Sequence, residues 1–255
     1  MTTDLSALTP YIGELLAGRA LTVLTGAGVS AESGLPTFRG AGGIWEGHRA
    51  EELATEDAFR RDPVKVWRFY EWRREATLKA QPNDAHLALA RLQRLLPRMT
   101  LLTQNVDGLH QAAGQKDLVE LHGSILRTRC TVEGTIRPTP EGPFASLPPK
   151  CGACGGLLRP SVVWFGEALA ADTWRAAEKA ALESAVFLVV GTSSVVAPAS
   201  SLALMAARGG AHLFEVNPEV TPIAPLAEGI FRRNAAEVLP EIARAFVSWK
   251  PERRR

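Results

Sequence analysis

The chain has 255 residues, of which 46% are hydrophobic and 22% charged, and its formal net charge is +2. That length and balance suit one large α/β domain, or one domain with an insertion, in a soluble globular protein. A charge so near neutrality supplies no field for nucleic acid, and no apolar stretch approaches the ~20 residues of a membrane span, so neither partner is expected. The first 20 residues carry Asp4 and Glu14 and no apolar core segment, unlike a secretory signal or an Arg-rich transit peptide. Three cysteines, two of them in a CxxC, suit a reducing compartment rather than a disulfide framework. A cytoplasmic location is the expectation.

Residues 20–24 form an apolar run that reads as a buried parallel strand. It feeds the loop TGAGVSAESGLPTFR, from Thr25 to Arg39. Gly26, Ala27 and Gly28 lack bulky side chains and leave room for a pyrophosphate to approach backbone. Gly26-x-Gly28-x-x-Ala31 fits a relaxed dinucleotide fingerprint, although no acid about 20 residues later completes it. Pro36, Thr37, Phe38 and Arg39 follow, then AGGIW ending in Trp45. An aromatic and an arginine in that position suit a loop that acts on a cofactor as well as holding it.

Residues 40–81 read as largely helical and carry Trp45, Trp67 and Trp72. Asp62-Pro63 is a sound N-cap and first-turn pair for a helix over residues 63–79. Tyr70 and Arg73 share one face of it, and a phenol beside a guanidinium can hold a carboxylate. Such pairs are also common on surface helices. A second amphipathic helix is expected over residues 85–96, capped by Asn83 or Asp84, with His86 packed or capping.

Residues 99–103 read as the next strand, ending in Gln104-Asn105-Val106-Asp107. Those side chains suit ribose hydroxyls and a carboxamide, or equally a turn that stabilises its own backbone. The run 118–121 leads to His122 at a strand-to-loop edge, where a neutral imidazole can be a general base or a structural group. His48, His110 and His212 have no supporting context. Residues 128–160 are rich in Gly and Pro and hold Cys130, Cys151 and Cys154. The spacing matches a C-x2-C…C-x2-C zinc pattern with Glu133 at the second position, and carboxylate oxygen is an accepted ligand. No thioredoxin-like flanks support the redox alternative. A helix over residues 173–184, capped by Asp172, precedes strands 186–190 and 211–216, which end in GTSS and NPE.

The expected fold class is therefore α/β. Residues 1–39, 82–127 and 161–255 form a Rossmann-like doubly wound parallel sheet. A second, smaller lobe combines a helical insertion (40–81) with a zinc-ribbon-like insertion (128–160). Loops at the carboxyl ends of parallel strands converge on one crevice, here between two lobes.

In combination, GAGVSAESGLPTFR, QNVD, the LHG containing His122, the cysteine insertion, VVWFGE at 162–167, GTSS at 191–194 and EVN at 215–217 resemble the sirtuin family of NAD-dependent protein-lysine deacylases. The resemblance covers about residues 20–240. TFRGAGGIW, FYEWRR and LLRPSVVWFGE are similar to its class III branch, which prefers succinyl-, malonyl- or glutaryl-lysine, and Tyr70-x-x-Arg73 matches that branch's acidic-acyl motif. The resemblance implies that NAD is consumed as co-substrate and lies across Gly26, Ala27, Gly28, Ser30, Pro36, Thr37 and Trp45. Arg39 would sit near its phosphates and Phe38 over the reacting ribose carbon. Asn105 and Asp107 would engage the nicotinamide ribose and carboxamide, with Gln104 and Val106 beside them. Gly191, Thr192, Ser193, Asn217, Pro218, Glu219 and Ala235 would hold the adenosine half.

By the same resemblance, the acyl-lysine oxygen attacks the ribose and expels nicotinamide, and His122 acts as general base on a ribose hydroxyl. The products are free lysine and O-acyl-ADP-ribose. Val163, Trp164, Phe165, Gly166 and Glu167 would pair as a strand with the backbone of an acyl-lysine protein or peptide. Cys130, Glu133, Cys151 and Cys154 would hold a structural zinc, Glu133 standing where the family has a fourth cysteine. The rival readings are a plain deacetylase, a mono-ADP-ribosyltransferase on the same NAD site, and a catalytically silent NAD- or ADP-ribose-binding module.

Overall fold

In the computed structural model, which describes residues 5–37, 44–140 and 142–250, helix α1 (Thr9–Leu16) leads into strand β1 (Leu21–Thr25). Every β1 residue is buried, as a strand covered by helices on both faces requires. An antiparallel pair, β2 (Ile44–Trp45) and β3 (His48–Arg49), opens a helical excursion made of α2 (Ala50–Leu53), α3 (Glu56–Arg61) and α4 (Pro63–Lys79). Asp62 caps α4 by accepting from the Lys65 N–H at 2.9 Å, and Pro63 stands where its missing N–H leaves no bond unmade. Helix α5 (Asp84–Leu95) takes Asn83 as its cap. The Asn83 side chain accepts from the Ala85 N–H at 2.9 Å and donates to the Val29 carbonyl at 2.8 Å, tying the helix start to the loop after β1.

The chain returns through β4 (Met99–Thr103), α6 (Leu109–Ala112) and β5 (Leu118–Glu120). It leaves again through an antiparallel sheet of β6 (Gly123–Cys130), β7 (Ile136–Pro138) and β8 (Leu158–Val162). The second half alternates α7 (Ala171–Leu182), β9 (Val186–Val190), α8 (Ser201–Arg208), β10 (His212–Val216), β11 (Gly229–Phe231) and α9 (Ala235–Ser248). Among the described residues the large sheet runs β11-β10-β9-β1-β4-β5 with parallel neighbours throughout. Chain order reverses between β1 and β9. That boundary is the switch point at which doubly wound folds open a crevice.

Helices α1, α5 and α9 pack on one face of this sheet and α7 and α8 on the other. A separate core, with Trp67, Phe69, Tyr70 and Trp164, joins the helical excursion to the small sheet. The edge strands β5 and β11 have three residues each, too short to show a period. Asp172 is not the cap of α7. Ala170 holds that position without a side-chain bond, and Asp172 lies in the first turn, paired with Arg175.

The end of β10 is fixed by a buried ion pair. Glu215 accepts from the Thr221 hydroxyl and from Arg232 at 2.8 Å, and Arg232 also donates to the carbonyls of Asn217 (3.2 Å) and Glu219 (2.6 Å). Arg232→Met strands a carboxylate that is 1% exposed. The expected loss is about 3 kcal/mol or more, read from urea unfolding. A change below about 0.5 kcal/mol would show the pair to be incidental.

Candidate active site

The switch point is closed by glycine. Gly28 donates its N–H to the Gly191 carbonyl at 2.8 Å, and Gly26 donates to the Val190 carbonyl at 3.0 Å. A Cβ on Gly26 would lie 2.7 Å from Thr192 Cβ, and one on Gly28 would lie 2.8 Å from the Gly191 oxygen. Gly191 itself has φ of +59°, and its Cβ would meet the Val29 nitrogen at 2.6 Å, a conformation and contact that L side chains do not tolerate. The bareness of Gly26 and Gly28 thus serves a close meeting of the two strand-end loops. Ala27, between them, faces the cleft.

Thr192 links the remaining strand ends. Its hydroxyl accepts from Gln104 Nε2 at 3.0 Å and its carbonyl from Asn217 Nδ2 at 2.8 Å. The strand-end threonines of β1 and β4 are register partners joined through their hydroxyls, with Thr25 donating to Thr103 at 2.9 Å. Thr103 Oγ1 then accepts the Asn105 N–H at 3.1 Å. Asn105 Nδ2 donates to Ser30 Oγ (3.2 Å), and Ser30 donates to Asp107 Oδ2 (2.8 Å). Asp107 Oδ1 accepts the Leu109 N–H at 2.9 Å. Burial raises the Asp107 carboxyl above its ordinary value, opposed by these donors and by Arg73.

One cleft collects these groups. Ala27, Ser30, Leu35, Pro36, Asn105, Val106 and Asp107 line it together with Arg73, Thr77 and Ile125. Arg73 is half-buried on its wall, its guanidinium 5.7 Å above the Phe69 ring. Burial lowers its pKa, against the pull of Tyr70 and Asp107.

His122 follows β5, held to the same strand end by a 3.1 Å contact between Nδ1 and the Gln104 carbonyl. A carbonyl only accepts, so Nδ1 carries the proton and Nε2 presents its lone pair. Burial lowers the imidazole below its ordinary value, which keeps that lone pair free at neutral pH. The His122 carbonyl accepts the Val163 N–H at 2.9 Å, and the Phe165 N–H bonds the Ala54 carbonyl at 2.9 Å. Residues 163–167 therefore run along the rim from the small sheet to α2, with Phe165 exposed, Gly166 at φ +87° and Trp164 buried.

Trp45 stacks edge-on against Phe69 at 5.8 Å, and Thr37 adjoins the cleft residue Pro36. Ser193 is half-buried beside Thr192, and Pro218 and Glu219 are exposed beyond Asn217. Ala235 opens α9, where Glu32 accepts the Ala236 N–H at 3.1 Å. Phe38 and Arg39 lie outside the described residues. His48 and His212 pair with Lys65 and Glu228 on the surface.

Two further histidines underlie the cleft. His86 Nε2 is 3.4 Å from Ser30 Oγ, and His110 Nε2 is 3.0 Å from Thr25 Oγ1. Nothing near His110 in the sequence marks it, whereas threonines ending both LTVLT and MTLLT were a readable sign of a buried polar floor. Burial lowers the two imidazoles from 6.5 to about 4 for His86 and about 3 for His110. Between those values and 6.5 the unfolded chain binds protons that the folded chain refuses. The associated stability is therefore complete above pH 6.5 and is lost progressively as pH falls from there through about 4 for His86 and about 3 for His110.

Cys130, Glu133, Cys151 and Cys154 place four ligand atoms within 4.8 Å of one another. Cys130 and Cys154 Sγ are 3.5 Å apart, and Cys151 Sγ is 3.8 Å from Glu133 Oε2. Tetrahedral zinc, with Zn–S about 2.3 Å and Zn–O about 2.0 Å, calls for roughly 3.8 and 3.5 Å. Three sulfurs and a carboxylate at these separations fit a structural zinc.

Residues 26–198 match the Sir2 family. The NAD-dependent protein deacylase of Aquifex aeolicus (strain VF5) is 50% identical over 222 residues, covering 87% of this chain and 93% of that protein. A solved Sir2 homologue–NAD complex superposes with a TM-score of 0.91 at 44% identity, covering 96% of this chain and 95% of the other. A Sir2–p53 peptide–NAD+ structure does so at 0.82 and 30%, covering 94% and 98%. The chain belongs to the Sir2 (sirtuin) family. Among the described residues no helix is long and apolar enough to cross a membrane.

Two outcomes are expected. Unfolding free energy should fall by more than about 2 kcal/mol between pH 7 and pH 4.5, and equal values would contradict the neutral-histidine floor. Elemental analysis should find about one zinc per chain, with Glu133→Ala surrendering it faster to a chelator. A stable, zinc-free wild type would leave the small lobe to packing alone.

Proposed function

We propose that this protein is an NAD-dependent protein-lysine deacylase with a preference for acidic acyl groups, succinyl, malonyl or glutaryl. The observation that carries the preference is Arg73, a desolvated cation on the wall of the cleft that also holds Ser30, Asn105 and Asp107. A neutral acetyl group offers that cation nothing; a distal carboxylate offers a charge-assisted hydrogen bond. Membership of the Sir2 family, the deacylase relative and the solved complexes with NAD and with peptide support the wider activity.

In this reading, the sheet segments 1–39, 82–127 and 161–255 hold NAD, and the small lobe, 40–81 and 128–160, completes the acyl pocket. The donor set fits: a buried amide, a carboxylate and a hydroxyl line one cleft, already bonded into fixed orientations. NAD supplies an electrophilic ribose carbon. Asn105 and Asp107 orient the nicotinamide half, while Thr192, with Gln104 and Asn217 fixed to it, holds the adenosine half. His122 accepts a ribose hydroxyl proton at Nε2, its tautomer set by the Gln104 carbonyl. The rim 163–167 carries the peptide backbone, and zinc at the cysteine cluster steadies the small lobe away from the chemistry.

The test is mass-spectrometric deacylation of one peptide bearing succinyl-, malonyl-, glutaryl- or acetyl-lysine. Hydrogen bonds to charged groups contribute about 1.5–3 kcal/mol, so Arg73→Met should lower kcat/KM for succinyl-lysine by about 10- to 100-fold. Acetyl-lysine should change by less than about threefold, and His122→Ala should abolish both. Equal losses on succinyl and acetyl peptides would refute the acidic preference.

A further inference from the structure

Tyr70, one turn before Arg73, is 5% exposed and holds its hydroxyl against another side chain. Trp164 Nε1 donates to the Tyr70 oxygen at 2.9 Å. The indole itself is clamped. The Arg159 guanidinium carbon lies 3.4 Å from its ring centroid, and the Phe59 ring centroid lies 5.3 Å away. Arg159 is in turn held by Glu167 at 2.9 Å, and the same Glu167 oxygen accepts the Trp164 backbone N–H at 2.8 Å. Arg159 also donates to the Val162 carbonyl at 2.9 Å.

From this chain of contacts we infer that Trp164 and Arg159 are positioning residues of the acyl pocket: the indole N–H occupies an acceptor site on the Tyr70 oxygen, leaving the phenol to act as donor toward a distal acyl carboxylate. The inference rests on the acidic-acyl reading and deepens it. No acceptor for the Tyr70 proton is present among the described residues, so an incoming carboxylate is its natural partner. Burial pushes the phenol up to about 12, so it keeps that proton throughout the working range. A phenol free to rotate would meet a carboxylate in several orientations. One pinned through its oxygen loses less freedom on binding. Glu167 belongs to the rim proposed to carry the peptide, so the residue that anchors the indole also anchors the docking strand.

The experiment compares steady-state kinetics of wild type, Trp164→Phe, Tyr70→Phe, Arg73→Met and the Trp164→Phe/Tyr70→Phe double variant on succinyl- and acetyl-lysine peptides. Phenylalanine keeps an aromatic ring at 164 and removes the N–H. Trp164→Phe should raise KM for the succinyl peptide about fivefold to tenfold more than it raises KM for the acetyl peptide, with kcat on the succinyl peptide within about twofold. In the Tyr70→Phe background the same change should add less than about twofold, the mark of coupled residues. An unchanged succinyl KM in Trp164→Phe, beside a selective loss in Tyr70→Phe, would overturn the positioning role while sparing the acidic preference. Equal loss on both peptides would assign the indole to the fold alone and overturn it too. If neither Arg73→Met nor Tyr70→Phe is selective, the acidic reading fails and takes this inference with it.

Discussion

The contact between two bare backbones at the switch point, Gly26 and Gly28 against Gly191, is the constraint on which the site depends. Any Cβ there would lie within 3 Å of main chain or of Thr192 Cβ, so the loops after β1 and β9 abut only because both lack side chains. Thr192 is thereby placed to bind Gln104 from β4 and Asn217 from β10. Four strand ends are fixed to one another by hydrogen bonds rather than by apolar packing. A cleft built this way is shaped before any ligand arrives, which lowers the cost of binding.

Such a site is expensive to bury. Ser30, Asn105, Asp107 and His110 are all under 10% exposed, and an unpaired polar group at that depth costs about 1–3 kcal/mol. The cost is offset because Ser30, Asn105 and Asp107 bond to one another and to backbone, while His86 and His110 are kept neutral. His110 Nδ1 is the exception, buried without a partner. Charge is concentrated where chemistry would use it: a carboxylate and a guanidinium facing one cleft, and a lone pair on His122 held outward by a backbone carbonyl.

Much of this was legible in the sequence. The runs at 99–103 and 186–190 are strands at those bounds, and the other two differ by a residue at their ends. Asp62-Pro63 did set the start of α4, because cap chemistry is local. The run at 118–121 was read as ending at a strand edge before His122, and β5 covers 118–120 of it, whereas β11, three residues with no periodic signal, needed the sheet. The glycine loop shows a subtler limit: spacing marks where side chains must be absent, and only the fold tells that a neighbouring loop fills the space. Arg159 was invisible for a similar reason, since its stack on Trp164 and grip on Glu167 join residues whose facing is set by the turn at 163–167. Glu133, by contrast, was readable as a metal-cluster member from spacing alone, because knuckle geometry is also local.

In the proposed reaction the cleft breaks the nicotinamide–ribose bond of NAD only in company with an acyl-lysine. Parallel quantification of nicotinamide and deacylated peptide, with and without succinyl-lysine substrate, checks that coupling. About one nicotinamide per lysine freed is expected, with negligible release without peptide. Deacylation without NAD, or nicotinamide release that ignores the peptide, would contradict it.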